Sequence, residues 1–245
     1  MALTAQELES QMPDATQLLS DEPEMESSLH YQQLALLVAC LERLWSDRTD
    51  FFIGANLTIY FSRQQLKNRD FRGPDFFLVK DTVKHPRNSW VVWEENGQYP
   101  NLIIELLSTS TAEIDRGLKK TLYSQRFGTH EYFWFSPDTL EFEGFRLEGK
   151  SYAAIPPTDQ GWRWSEELKL YIGIHNDQLR YFNPTGQLIP TPDEAANLAS
   201  QRAEQASQRA EQASQQAELE KQRADRLAER LRSLGVDPDS DVTME

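Results

Sequence analysis

Leu102-Ile103-Ile104-Glu105-Leu106-Leu107 is the stretch on which the reading of this chain turns. It follows Pro100-Asn101 and runs into Ser108-Thr109-Ser110-Thr111. An almost continuous apolar run of this length suits a strand buried on both faces of a sheet. The hydroxyls of Ser108 to Thr111 offer N-cap chemistry, so residues 112–127 are predicted as the next helix. Gly128 is placed to end it, because glycine accepts the left-handed backbone that follows many helices. Residues 131–135 (EYFWF) read as a second buried strand, and residues 140–147 pair with it across Pro137-Asp138.

Outward from this centre the pattern stays mixed. Apolar residues at Leu34, Leu37, Val38, Leu41, Leu44 and Trp45 mark one face of a helix. Residues 52–61 look extended. Gly73-Pro74 is a turn, residues 76–79 follow as a strand, and residues 90–93 (WVVW) are a short strand. Two more strands, near 168–174 and 179–182, surround the turn residues His175-Asn176-Asp177. The expected class is α/β, a central mixed sheet flanked by helices.

The composition supports one sizeable core. The chain has 245 residues, 39% hydrophobic and 11% aromatic, which excludes disorder throughout. No run approaches the ~18 apolar residues of a membrane span. Residues 1–14 have neither a basic segment nor an apolar one, so no secretory signal is expected. The single cysteine, Cys40, forms no internal disulfide and no cysteine-based zinc site. His30, His85, His130 and His175 are scattered without metal-ligand spacing. A cytoplasmic location is expected.

The net charge of −14 lies mostly at the ends. Residues 1–30 carry seven acidic and no basic side chains, and residues 191–245 carry twelve acidic and seven basic, which leaves the middle nearly balanced. Residues 1–25 read as an acidic, disordered or loosely attached leader, and 26–190 as the folded domain. Residues 193–234 differ in kind: SQRAEQA occurs at 200–206 and again at 207–213. Ala196, Ala199, Ala203, Ala206, Ala210, Ala213 and Ala217 alternate in steps of three and four. The seam breaks at Glu220 and resumes at Ala224, Leu227, Leu231 and Leu234. Such a heptad seam predicts one long coiled-coil helix, which dimerises the chain or docks on a partner, or else stands as a solvated tail. Residues 235–245 read as an acidic disordered tail.

Three features bear on chemistry. Glu105 lies inside the apolar strand, where a lone carboxylate is costly unless paired, protonated or bound to a cation. It could also sit at a strand end and reach solvent or an arginine. Asp75 opens the apolar run after Gly73-Pro74, as an ordinary turn aspartate also would. Asp115, Lys119 and Tyr123 fall at i, i+4 and i+8 on one helix face, equally consistent with a surface ion pair. Taken together, two carboxylates on adjacent strands can hold a hard divalent cation, and a nearby lysine can orient a water or neutralise phosphoryl charge.

Gly73-Pro74-Asp75, Pro100 to Ser108, Ser110-Thr111-Ala112, Asp115, Lys119, Tyr123, Gly128 and Glu131-Tyr132 resemble the Uma family of bacterial restriction-endonuclease-like proteins. The resemblance covers roughly residues 25–190. It implies the PD-(D/E)XK nuclease core, with the long C-terminal helix as an appendage found in part of the family. It also implies Asp75 and Glu105 as ligands of Mg²⁺ or Mn²⁺, and Lys119 as the lysine of the site. In the basic nuclease motif that lysine stands two residues after the second acid, where this chain has Leu107. The family places it on the following helix, as Lys119 or its neighbour Lys120. Glu26 and His30 match a family acid and histidine, and Glu26 is a candidate third carboxylate. Thr109 departs from the family, which has proline there. The implied activity is metal-dependent endonuclease cleavage of DNA. Two alternatives stand: an inert nuclease-fold scaffold recruiting partners through the coil, and a metal hydrolase of RNA or a smaller phosphodiester.

Overall fold

Strand β5 (Leu102–Leu106) is buried at every position, and this follows from its place in the middle of a six-stranded sheet. The computed structural model describes residues 18–22, 25, 27–62 and 73–235. The other strands of that sheet are β1 (Phe51–Ala55), β3 (Phe76–Lys80), β6 (Glu131–Phe135), β7 (Phe142–Glu148) and β8 (Ser151–Ala154). They lie in the order β1-β3-β5-β6-β7-β8. Only the β5–β6 pair is parallel, so the sheet is mixed. A parallel pair requires a crossover, here supplied by helix α2, residues 112–127.

Both faces of the sheet are covered. Leu102, Ile104 and Leu106 pack with Phe76, Leu78, Phe133 and Phe135 on one side. Helix α1 (Ser28–Leu44) covers this face with Leu34, Leu37 and Leu41, and a three-stranded antiparallel sheet adds Leu170, Ile172, Leu179 and Tyr181. That sheet comprises β9 (Arg163–Ser165), β10 (Leu170–His175) and β11 (Gln178–Phe182). Gln33 on the apolar face of α1 is buried too. Its amide donates to Leu179 O at 3.0 Å and accepts from Leu179 N at 2.9 Å, which joins α1 to β11. On the opposite face Ile103 and Leu107 meet Tyr123 and Phe127 of α2, with Ile59 and Trp90 from the parallel pair β2 (Ile59–Tyr60) and β4 (Trp90–Val91). Alternation along β5 therefore points Glu105 toward α2.

Several sequence expectations hold locally. Ser108 Oγ accepts from the amides of Ser110 and Thr111 ahead of α2, and Ser27, which carried no such expectation, caps α1 by accepting from His30 N. Gly128 ends α2 with φ 67°, the left-handed conformation that glycine adopts without penalty. Asn176 and Asp177, both at positive φ, form the two-residue turn between β10 and β11. The 90–93 run is strand only over Trp90–Val91, because the chain turns immediately afterwards. Residues 18–22, part of the stretch read as a leader, are bonded to the domain. Tyr60 donates to Leu19 O at 2.9 Å, Ser89 to Leu18 O at 2.7 Å, and Thr58 to Glu22 Oε1 at 2.8 Å.

The chain divides into two compact units, Met1–Thr191 and Pro192–Glu245. The second contains helix α3 (Pro192–Ser233), 42 residues long and with no buried residue. At ~1.5 Å per residue it extends about 60 Å. Pro192 stands at its first position, with Asp193 and Glu194 beside the positive end of the helix dipole. Among the described residues no helix is long and apolar enough to cross a membrane.

Candidate active site

The β3–β5 register builds the site. Phe76 pairs with Ile104, Phe77 with Ile103 and Leu78 with Leu102. One step further along this register sets Asp75 opposite Glu105. Directly opposed residues share a face of a sheet, so the two carboxylates come together although 29 residues separate them in the chain. Backbone amides orient both groups. Leu106 N donates to Asp75 Oδ2 at 2.7 Å, and Asp75 N reaches Glu105 Oε2 at 3.3 Å. Asn56 N donates to Asp75 O at 2.7 Å, which fixes the preceding turn. Gly73 fits that turn because a Cβ there would lie 2.3 Å from Leu57 O. Glu22 Oε1 accepts from the Gly73 amide.

Helix α2 supplies the other half. Its backbone hydrogen bonds widen by one residue over Asp115–Lys119 and again over Tyr123–Phe127. Such wide turns occur mostly as local insertions within α-helices, frequently at functional sites. A wider turn returns residues four apart close to one line, and Asp115, Lys119 and Tyr123 all face Glu105. Lys119 Nζ lies 3.0 Å from Glu105 Oε1 and 2.9 Å from Asp115 Oδ1. The Tyr123 hydroxyl donates to the same Glu105 Oε1 at 2.8 Å. Tyr132 holds the helix backbone by donating to Asp115 O at 2.9 Å. The i, i+4 pair of Asp115 and Lys119 is therefore an interior one, with their side chains 2% and 11% exposed.

Burial is the main force on these groups. It pushes the Glu105 carboxyl up to about 7, and the neighbouring Asp75 charge adds to the rise while Lys119 and Tyr123 oppose it. Asp115 is pushed up to about 6, first by burial and then by the charge of Glu105. Asp75 is raised by burial, against the pull of Lys119. Burial alone would lower Lys119, but Glu105, Asp115 and Asp75 outweigh it and hold the ammonium protonated above its ordinary range. Three carboxylates face one ammonium, so the cluster is short of positive charge when all are ionised.

Lys120, the neighbouring alternative, points elsewhere: its ammonium lies over the Phe145 ring, 3.2 Å from the centroid. His30 contacts the end of the strand rather than the carboxylates. The Leu107 carbonyl can only accept, so Nε2–H donates to it at 3.2 Å, while Nδ1 lies 2.8 Å from Ser27 Oγ, which also accepts the His30 backbone N–H. Glu26 lies outside the described residues. Among the described residues no group of three or more His, Cys, Asp or Glu is arranged to hold a metal ion. Reading the sequence alone missed the Glu22 contact with the turn, and nothing in a polar acidic stretch marks it.

The model of the Uma2 family, described as "putative restriction endonuclease", matches residues 7–181. The chain belongs to the Uma2 family. That match begins well before the boundary at 25 implied by resemblance, in keeping with the bonds made by residues 18–22. A crystal structure of "a putative nuclease belonging to DUF820" from Anabaena variabilis is similar with a TM-score of 0.42 and 14% identity. The similarity covers 60% of this Uma2 protein and 76% of that chain. No curated protein matches it significantly.

Proposed function

We propose that the Uma2 domain is a nuclease that hydrolyses DNA phosphodiester bonds with Mg²⁺ or Mn²⁺. The observation that carries this reading is the opposition of Asp75 and Glu105 with Lys119 bonded to the second of them. The donor set fits a hard divalent cation: two hydrogen-bonded carboxylates, each with one oxygen held by short bonds from the protein, in a cluster with more carboxylates than cations. Restriction-endonuclease-like families generally use divalent metals, which agrees. Bound by Asp75 and Glu105, the cation would polarise a phosphoryl oxygen and lower the pKa of a water.

The residues of the chain supply the rest. Lys119, kept charged by its neighbours, donates to and neutralises the phosphoryl group rather than removing a proton. Asp115 holds Lys119 in place from the previous helical turn. Sequence charge favours a polyanionic substrate: Arg63, Lys67, Arg69 and Arg72 precede Gly73-Pro74-Asp75 in the chain, with Asp70 as the one acid among them. Helix α3, with its repeated heptads and no buried residue, we assign to association with a second copy or a partner. Calorimetric titration of Mg²⁺ and Mn²⁺ tests the site. The wild type should bind, and Glu105→Ala and Asp75→Ala should not. Equal binding by all three chains would remove the assignment.

A further inference from the structure

Tyr123 does more in this geometry than fill the core between Phe127 and Tyr132. Its hydroxyl and the Lys119 ammonium both donate to one oxygen of Glu105, Oε1, at 2.8 and 3.0 Å. Oε2 takes the Asp75 amide at a long 3.3 Å, and the Asp75 carboxyl itself lies within hydrogen-bonding reach of Glu105. Asp75 is committed in the same one-sided way, with Oδ2 taking the Leu106 amide at 2.7 Å. Each carboxylate thus has one oxygen held by short bonds from the protein. The phenol is wholly buried, with Glu105 Oε1 as its acceptor at 2.8 Å. It is a fixed donor.

We propose that Tyr123 is a positioning residue that dictates how the cation is taken. By occupying Glu105 Oε1 it restricts that side chain to one-oxygen ligation through Oε2, paired with one oxygen of Asp75. Two single-oxygen ligands leave most of the coordination sphere of a six-coordinate cation for water and substrate oxygens, as phosphoryl-transfer chemistry requires. Residues that orient a metal ligand commonly change affinity by roughly ten- to a hundredfold when removed. This inference rests on the metal reading proposed above.

The test uses the full chain and Mn²⁺ alone, with free Mn²⁺ read by electron paramagnetic resonance. Tyr123→Phe keeps the ring and removes the donor, and it should weaken Mn²⁺ binding roughly tenfold or more. Tyr152→Phe removes a comparable hydroxyl bond, the one to Thr129 O at 2.8 Å, away from the carboxylates, and should leave binding unchanged. Infrared difference spectra of the wild type need no substitution. One-oxygen ligation should widen the separation of the two carboxylate stretches relative to the free ion, whereas two-oxygen ligation should narrow it. Unchanged affinity in folded Tyr123→Phe, or a narrowed separation in the wild type, overturns the proposal while leaving Asp75 and Glu105 as ligands. A wild type that binds no Mn²⁺ overturns the metal reading and this proposal with it.

Discussion

Adding Mg²⁺ or Mn²⁺ at pH 8 and at pH 5 should stabilise this protein very differently. Burial lifts Glu105 from its ordinary 4.5 to about 7 and Asp115 from 3.8 to about 6. A carboxyl raised in the folded state holds its proton where the unfolded chain has released it. Stability without metal therefore falls as pH rises from about 4 to about 7, and the full cost is present above that window. The rise at Glu105 alone corresponds to ~3 kcal/mol. Asp115 does not add fully, because both groups share Lys119 and repel each other. Cations bind the ionised carboxylates. At a concentration of about 100 times the pH 8 dissociation constant they contribute ~2.7 kcal/mol. For a chain of this size that raises Tm by roughly 5–10 °C. At pH 5 the same cation must displace a proton held two pH units more tightly, which weakens binding about 100-fold and leaves a shift of roughly 1 °C. Scanning calorimetry at both pH values, with Glu105→Gln as control, measures this directly. Equal shifts at the two pH values, or a shift retained in Glu105→Gln, would refute the reasoning.

Further perturbations probe separate parts. Lys119→Met leaves Glu105 and Asp115 without their shared counter-charge and should cost ~3 kcal/mol in urea unfolding at pH 8. The loss should shrink toward pH 5, and a pH-independent loss would contradict the ionic account. Gly73→Ala drives a methyl group toward Leu57 O and should lower stability by ~1–3 kcal/mol and weaken Mn²⁺ binding, and wild-type values for both would show that the turn has room. Leu227→Glu with Leu231→Glu should lower the sedimenting mass if α3 associates with a second copy. A monomeric wild type would remove that possibility.

The fold was legible where local chemistry decides it. The apolar run of β5, the hydroxyls at Ser108 to Thr111, Gly128 and the Asn176-Asp177 turn each carry their own signal. Strands β8 and β9 carry none: SYAA and RWS are short, partly polar and without clear alternation. The buried polar groups were equally hidden. Glu131 is wholly buried because Arg146, Ser165 and two backbone amides of the β9–β10 turn converge on it, and that convergence is tertiary. For the site, the sequence offered candidate residues with ordinary explanations beside each. The β3–β5 register removed those explanations for Asp75 and Glu105. The widened turns of α2 did so for Lys119 and Tyr123. The resemblance favoured Lys119 with Lys120 as its fallback, and only the direction of each side chain shows which of them faces Glu105.

Nicking of supercoiled plasmid tests the central claim most directly, with wild type, Asp75→Asn and Glu105→Gln compared in Mn²⁺, in Mg²⁺ and after chelation. The wild type should nick DNA only with a divalent cation, and both variants should be inactive while keeping the wild-type near-ultraviolet circular dichroism. Cleavage by either variant at the wild-type rate, or by the wild type in chelator, would contradict the assignment of Asp75 and Glu105 as the metal-holding pair of a nuclease.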